Sequence, residues 1–300
     1  MRLPVVHSPE FETPLLRRNR FPMPKYGLVA DFLANDGIAD RGSFYTPAPA
    51  PAQWVQLAHD RVYVDQVFNA NVPPEISRQI GFDITQGVAL RSRHASAGTL
   101  LCARLALEHG IACSTAGGSH HAMRAHGRGF CVFNDVGVAS SVLLADGTIG
   151  TALVLDCDVH QGDGTAEIFR DEPRVKTISI HGEKNYPARK QQSDIDVALP
   201  DGTGDEAYLE ALDQVLERCL AFGTPDIVFY NAGVDPHRDD LLGRLALSDG
   251  GLEERDRRAI GFFRERGIAV AGVLGGGYGD DVNAVARRHT ILHRVAVQFI

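Results

Sequence analysis

The sequence predicts an α/β fold, with a central, mostly parallel sheet and helices on both faces. Apolar runs of strand length alternate with longer stretches of helical period, the pattern of repeated β–α–β units. Most of those runs are apolar throughout, as strands covered on both faces must be. A third observation bears on function: nearly every expected strand runs straight into a cluster of His, Asp, Asn or Gly. The C-terminal edge of the sheet is therefore where chemistry is expected.

Taken in order, residues 3–6 read as a strand and 26–35, 53–57 and 62–69 as helices, with the Ala/Pro run 47–51 a stiff surface connector. A helix over 92–108 leads into a strand at 111–114, and a helix over 135–145 into a strand at 151–155. Residues 175–180 and 227–230 read as strands around a helix at 205–222. A helix at 251–266, a strand at 268–274 and a helix at 281–299 close the chain. No repeat or composition break divides residues 1–300, so one domain is expected.

With 44% hydrophobic and 23% charged residues, the 300-residue chain has material for a large core. Its net charge of −8 and scattered basic residues argue against nucleic-acid binding. The nearest basic clusters, Arg255/Arg257/Arg258 and Arg287/Arg288, lie in helical patterns shared with Glu253, Glu254 and Asp256 or begun at Asp280/Asp281, and read as solvated helix faces. No apolar stretch approaches the ~20 residues of a membrane span, and the N-terminus lacks a secretory h-region; a cytoplasmic protein is expected. The five cysteines form no CxxC pair, so reduced, mostly buried thiols are expected. A homo-oligomer is compatible with all of this.

Four clusters carry chemistry. In DCDVHQGDG at 156–164, an extended chain would turn Asp156, Asp158 and His160 to one face, where oxygen and nitrogen donors suit Zn²⁺ or Fe²⁺. Helix-capping aspartates beside an ordinary histidine are the plainer reading. In GGSHHA at 117–122, neighbouring side chains diverge, so His120 and His121 suit acid/base work better than joint ligation. In NAGVDPHRDD at 231–240, one carboxylate would complete an Asp/His/Asp set with an open position, although Asp-Pro alone is an ordinary turn. His237 reads as a solvent-facing loop histidine and stays outside the set. In GGGYG at 275–279, Tyr278 could present a phenol donor to the site; the segment lacks the spacing of a phosphate loop.

Together and in this order, the clusters resemble the zinc-dependent histone deacetylase and acetylpolyamine amidohydrolase family of the arginase/deacetylase fold. The family's GGxHHA, GFCxFND, DxDxHxGxG, AGxD and GGGY segments stand here at 117–122, 129–135, 156–164, 232–235 and 275–278. The resemblance implies that Asp158, His160 and Asp235 bind zinc and that His120 and His121 flank the attacking water. It pairs His120 with Asp156 and His121 with Asp163, and has Tyr278 donate to the scissile carbonyl. It also implies a structural potassium ion held by main-chain oxygens of Asp156, Asp158, His160 and Ile180 and by the side chains of Ser179 and Asp158. The details look closest to the short class IV branch, with its NAGxD segment and compact chain; RFPMPKY at 20–26 fits it loosely. Two positions depart from many members. The channel wall beside Gly129 pairs Phe130 with Tyr186 rather than two phenylalanines, and Lys25 stands where an arginine commonly lines an internal channel.

The implied activity is hydrolysis of N-acetyl-lysine, or of a longer N-acyl-lysine, in proteins or peptides. In it His121 acts as general base and His120 gives electrostatic support, although the residues alone leave that division open. An acetylpolyamine or other small-amide hydrolase would share every catalytic residue. An arginase-like two-metal site would need carboxylates this chain lacks, and a non-catalytic relative would usually have lost a ligand or the tyrosine, whereas none is missing here.

Overall fold

The computed structural model describes residues 2–17 and 19–300. Among the described residues seven strands form one sheet: β1 (Val5–Val6), β2 (Ile111–Ser114), β3 (Ala152–Asp156), β4 (Val175–Gly182), β5 (Ile195–Leu199), β6 (Ile227–Asn231) and β7 (Ala269–Val273). Their order is β1-β2-β7-β6-β3-β4-β5, and every pairing is parallel. In β2, β3, β6 and β7 every residue is buried, which is why these strands read as unbroken apolar runs.

The described residues also form ten α-helices: α1 (Lys25–Asn35), α2 (Ala52–Val55), α3 (Arg61–Phe68), α4 (Pro74–Ile80), α5 (Gln86–His109), α6 (Asp135–Ala145), α7 (Asp163–Phe169), α8 (Asp205–Cys219), α9 (Asp249–Arg264) and α10 (Val282–Ala296). None of the described helices is long and apolar enough to cross a membrane.

Three elements escaped the sequence reading. Edge strand β5 exposes part of its length and sets Asp196 among its apolar residues, so it gives no unbroken apolar run. Helix α4 hides behind the Pro73-Pro74 pair, and α7 inside a glycine-rich motif. Helix α5 starts at Gln86 rather than 92, because Thr85 caps it by accepting from Val88 N–H at 3.2 Å, and Gly87 does not break it.

Two assignments made from charge pattern and loop position are corrected. Arg255 is not on a solvated face; its side chain is 0% exposed, paired with Asp256. Arg257 and Arg258 do lie at the surface, bonded to Glu253 and Glu254. His237 is buried, held by Asp239 N–H at 3.1 Å and 3.4 Å from Asp249 Oδ1, so the loop folds back over it. All five cysteines are free and buried.

Candidate active site and metal centre

Strands β2, β7, β6 and β3 are consecutive across the sheet, so the loops leaving their C-terminal ends meet although the chain visits them far apart. At a strand spacing of about 4.8 Å, four such ends span roughly 15 Å. The four clusters singled out in the sequence are these four loops.

The loop after β3 is not the extended segment expected. The strand stops at Asp156, whose Oδ1 accepts from Asp158 N–H (3.1 Å); Asp158 Oδ1 in turn accepts from His160 N–H (2.9 Å). Aspartate side chains thus take the backbone donors that a continued strand would need, and two turns replace the pleat. Asp156 is thereby separated from the other two, and its Oδ2 meets His120 Nδ1 at 2.7 Å.

Asp158, His160 and Asp235 converge, all buried, with one potential ligand atom from each within 4.8 Å of the others; no other such group occurs among the described residues. His160 Nδ1 lies 3.0 Å from Asp158 Oδ1 and 3.1 Å from Asp235 Oδ2. The remaining carboxylate oxygens accept main-chain hydrogen bonds, Asp158 Oδ2 from Gly276 (2.6 Å) and Asp235 Oδ1 from Val159 (2.8 Å). Burial, reinforced by the Asp158 charge, pushes Asp235 up to about 7. Asp158, despite its burial, is held well below the usual range by His120 and His160. Two buried carboxylates this close call for a cation, and an O/N/O donor set suits a divalent transition ion.

Glycine makes this convergence possible. A Cβ on Gly276 would lie 2.1 Å from Asp235 Oδ2, so any side chain would displace the ligand. Gly118 and Gly275 both have positive φ, and a Cβ on Gly118 would come within 2.5 Å of Gly275 Cα, so the β2 and β7 loops touch backbone to backbone.

The second dyad joins His121 Nδ1 to Asp163 Oδ1 at 2.6 Å, with Asp163 opening α7. The two imidazoles lie 4.1 Å apart by centroid yet differ in basicity. Burial works against charge on His120, but the Asp156 and Asp158 carboxylates outweigh it and raise its pKa to about 9. Burial and the neighbouring His120 charge lower His121 to about 4. Asp163 Oδ2 also lies 3.2 Å from Arg128 Nη1, and Arg128 Nε donates to Tyr186 OH at 2.5 Å. Tyr186 sets its ring edge-on to His121, 4.8 Å away. Arg128 had no assigned role in the sequence reading; its position directly before the GF pair was the available signal.

The GFCVFND segment acts as a frame. Asn134 caps α6 through Gly137 N–H (2.8 Å), and its Nδ2 donates to Thr165 Oγ1 (2.9 Å). The buried Asp135 carboxylate accepts from Ser119 N–H (2.6 Å), Gly118 N–H (3.0 Å) and Thr99 Oγ1 (2.6 Å), fixing the loop that carries the histidines. His59 supports it from below, accepting from Asn134 N–H at Nε2 (2.9 Å) and reaching Met123 O with Nδ1 (2.8 Å).

A cavity of about 370 Å³ leads in from the surface. His121, His160 and Tyr278 line it, Gly129, Phe130 and Tyr186 contribute walls, and Lys184 and Arg244 also border it. Phe130 has φ +65°, rare for a bulky residue, and its N–H donates to Ile80 O at 2.7 Å. Tyr278 packs 5.8 Å from Phe130 and 6.2 Å from the His160 ring. No described residue hydrogen-bonds its hydroxyl, and burial keeps that phenol protonated. Beneath the glycine run, buried Lys25 donates to Gly275 O (3.0 Å) and faces His289 Nε2 (3.2 Å); burial lowers its pKa to about 8. Ser179 is the Cα partner of Asp156 on the neighbouring strand, with Ile180 following, while Asp158 and His160 belong to the loop that leaves β3 at that point. Ser179 Oγ lies 3.0 Å from His181 Nδ1, and both Asp158 carboxylate oxygens are engaged as described above.

Residues 20–294 match the histone deacetylase domain. An uncharacterized protein of Picosynechococcus sp. is 44% identical over 99% of both chains. Histone deacetylase 2 of Arabidopsis thaliana is 28% identical over 92% of this chain and 75% of its own. Among solved structures, a histone deacetylase homologue from Aquifex aeolicus superposes with a TM-score of 0.83 at 22% identity, covering 99% of this chain and 84% of that one. The domain match takes in all four loops that build the site, and on that extent the chain belongs to the histone deacetylase family.

Proposed function

We propose that this chain hydrolyses the amide bond of N-acetyl-lysine, or of a longer N-acyl-lysine, in proteins or peptides, releasing a carboxylate and the free lysine. The observation that carries the reading is a cavity lined by His121, His160 and Tyr278, in which His160 belongs to the buried Asp/His/Asp set, His121 to one of two adjacent carboxylate–histidine dyads, and Tyr278 offers a phenol with no partner among the described residues. Asp158, His160 and Asp235 would hold Zn²⁺, or Fe²⁺ in the cell. When bound, such an ion polarises a carbonyl and acidifies water.

The chain's own groups do the rest. Asp163 accepts from His121 Nδ1–H, which leaves His121 Nε2 unprotonated to take the proton of the attacking water and return it to the departing amine. His120, kept charged by Asp156, stabilises negative charge developing beside it. Tyr278 donates its hydroxyl to the forming oxyanion. Gly129, Phe130 and Tyr186 enclose the lysine arm and exclude water. Asp156, Asp158, His160, Ser179 and Ile180 would hold a structural K⁺, a reading supported by the pairing of Asp156 with Ser179 where β3 ends and its loop begins.

The test is a panel of lysine peptides bearing acetyl and longer acyl groups, run beside acetylated polyamines on zinc-loaded protein with K⁺ present. Peptide turnover well above polyamine turnover is the expected result. The reverse ranking would overturn the lysine assignment in favour of a small-amide hydrolase with the same catalytic groups. Elemental analysis should find one transition ion per active chain; two would overturn the mononuclear site.

A further inference from the structure

Strands β3 and β6 part company where the metal set begins. Asp156 and Asn231 are their last paired residues, and Cys157 N–H still donates to Asn231 O at 3.0 Å. Beyond that bond the two chains have to separate, because Asp158 and Asp235 must face each other across a gap the size of a cation. The carbonyls of Cys157 and Gly233 are left at the fork. A single side chain takes both: Arg255 enters from α9, and its Nη1 donates to Gly233 O at 2.6 Å and to Cys157 O at 3.2 Å. Cys157 immediately precedes one carboxylate of the set, and Gly233 lies two residues before the other.

Burying a guanidinium is costly, and an apolar side chain would fill such a volume at lower cost, so its presence asks for a reason. Asp256 balances the charge, 2.8 Å from Nη2 and 2.9 Å from Nε, and itself accepts from Tyr230 OH at 2.5 Å. The ion pair therefore has its own partners, whereas the two carbonyl contacts reach outward to the fork.

We propose that Arg255 is a positioning residue for the metal set. By standing in for the missing rung of the ladder, its guanidinium fixes how far β3 and β6 splay, and so fixes the separation of Asp158 and Asp235. The inference rests on reading Asp158, His160 and Asp235 as the metal site.

The experiment compares wild type with Arg255→Lys, Arg255→Gln and Asp256→Asn, each stripped of metal and titrated with Co²⁺ alone. Dissociation constant and visible absorption bands report the site, and melting temperature of the metal-free chain reports the fold. Lys ends one atom and Gln two atoms short of the position of Nη1, so neither brings a donor to both carbonyls; Co²⁺ should bind roughly 10- to 100-fold more weakly, with shifted bands, the scale of losing a residue that orients a ligand. Asp256→Asn leaves the guanidinium contacts in place. It should melt lower yet keep its Co²⁺ dissociation constant within about threefold of wild type. Unchanged Co²⁺ binding in both Arg255 variants would overturn the inference. An equal loss in Asp256→Asn would do so too, because general softening would then suffice, as would failure of both Arg255 variants to fold. A wild-type chain that binds no Co²⁺ would overturn the metal reading and this inference with it; the other outcomes overturn the inference alone.

Discussion

Tyr278 brings one polar atom to the cavity, and that hydroxyl has no hydrogen-bond partner among the described residues. Its ring is packed and its main chain is tied to Asp240 through a 2.7 Å bond, so removing the oxygen leaves the loop in place. Tyr278→Phe should keep its metal content and melting temperature. Its kcat should fall roughly 10²- to 10³-fold with KM little changed, the scale of losing one oxyanion donor. Steady-state kinetics on lysine peptides decides; turnover near wild type would make the tyrosine a packing residue. At this scale much of the site was readable beforehand. The Asp156–His120 and Asp163–His121 pairs stand where motif order put them. Arg128, Asn134 and Asp135 acquired roles only in three dimensions, because a side chain that holds another loop in place leaves no periodicity or ligand spacing in the sequence.

Among elements, the loop after β7 is the one in which sequence is most tightly constrained by shape. Gly276 donates to Asp158 and passes beside Asp235 with no room for a methyl group. Gly276→Ala should therefore fold but bind Zn²⁺ on the order of 10- to 100-fold more weakly by calorimetry, because the new Cβ must push a ligand aside. Retained affinity would mean that the loop can retreat and that its close approach is not required. The central strands were legible because burial on both faces demands unbroken apolar runs. Strand β5 and helices α4 and α7 were not, since an edge strand needs only half a face and short helices give too few turns to display a period. Arg255 was misread for a related reason: a charge pattern along α9 records which residues are charged but not that one of them turns inward.

For the whole molecule, acid is the informative stress. His59 is locked neutral: its Nε2 accepts a main-chain hydrogen bond, so protonation would break that bond inside the core. Burial lowers both His59 and His293 from the usual 6.5 to about 4. Between those values the unfolded chain binds more protons than the folded one. The stability these two residues confer is thus complete above pH 6.5 and is lost as pH falls towards 4, on the order of 3 kcal/mol for each. Urea unfolding of metal-free wild type and of His59→Gln should differ most near neutrality, and the gap should narrow by pH 4; a gap independent of pH would contradict the neutral assignment. The five buried thiols have a practical consequence. Burial raises Cys157 and Cys219 to about 12, and the other three also lie above the ordinary thiol range. The folded chain should therefore be inert to maleimides and disulfide reagents, and should react at five positions only once denatured. A single cysteine introduced in place of exposed Lys184, at the border of the cavity, would then be the sole attachment point for a fluorophore. Substrate arrival could be followed by emission without first deleting any native residue.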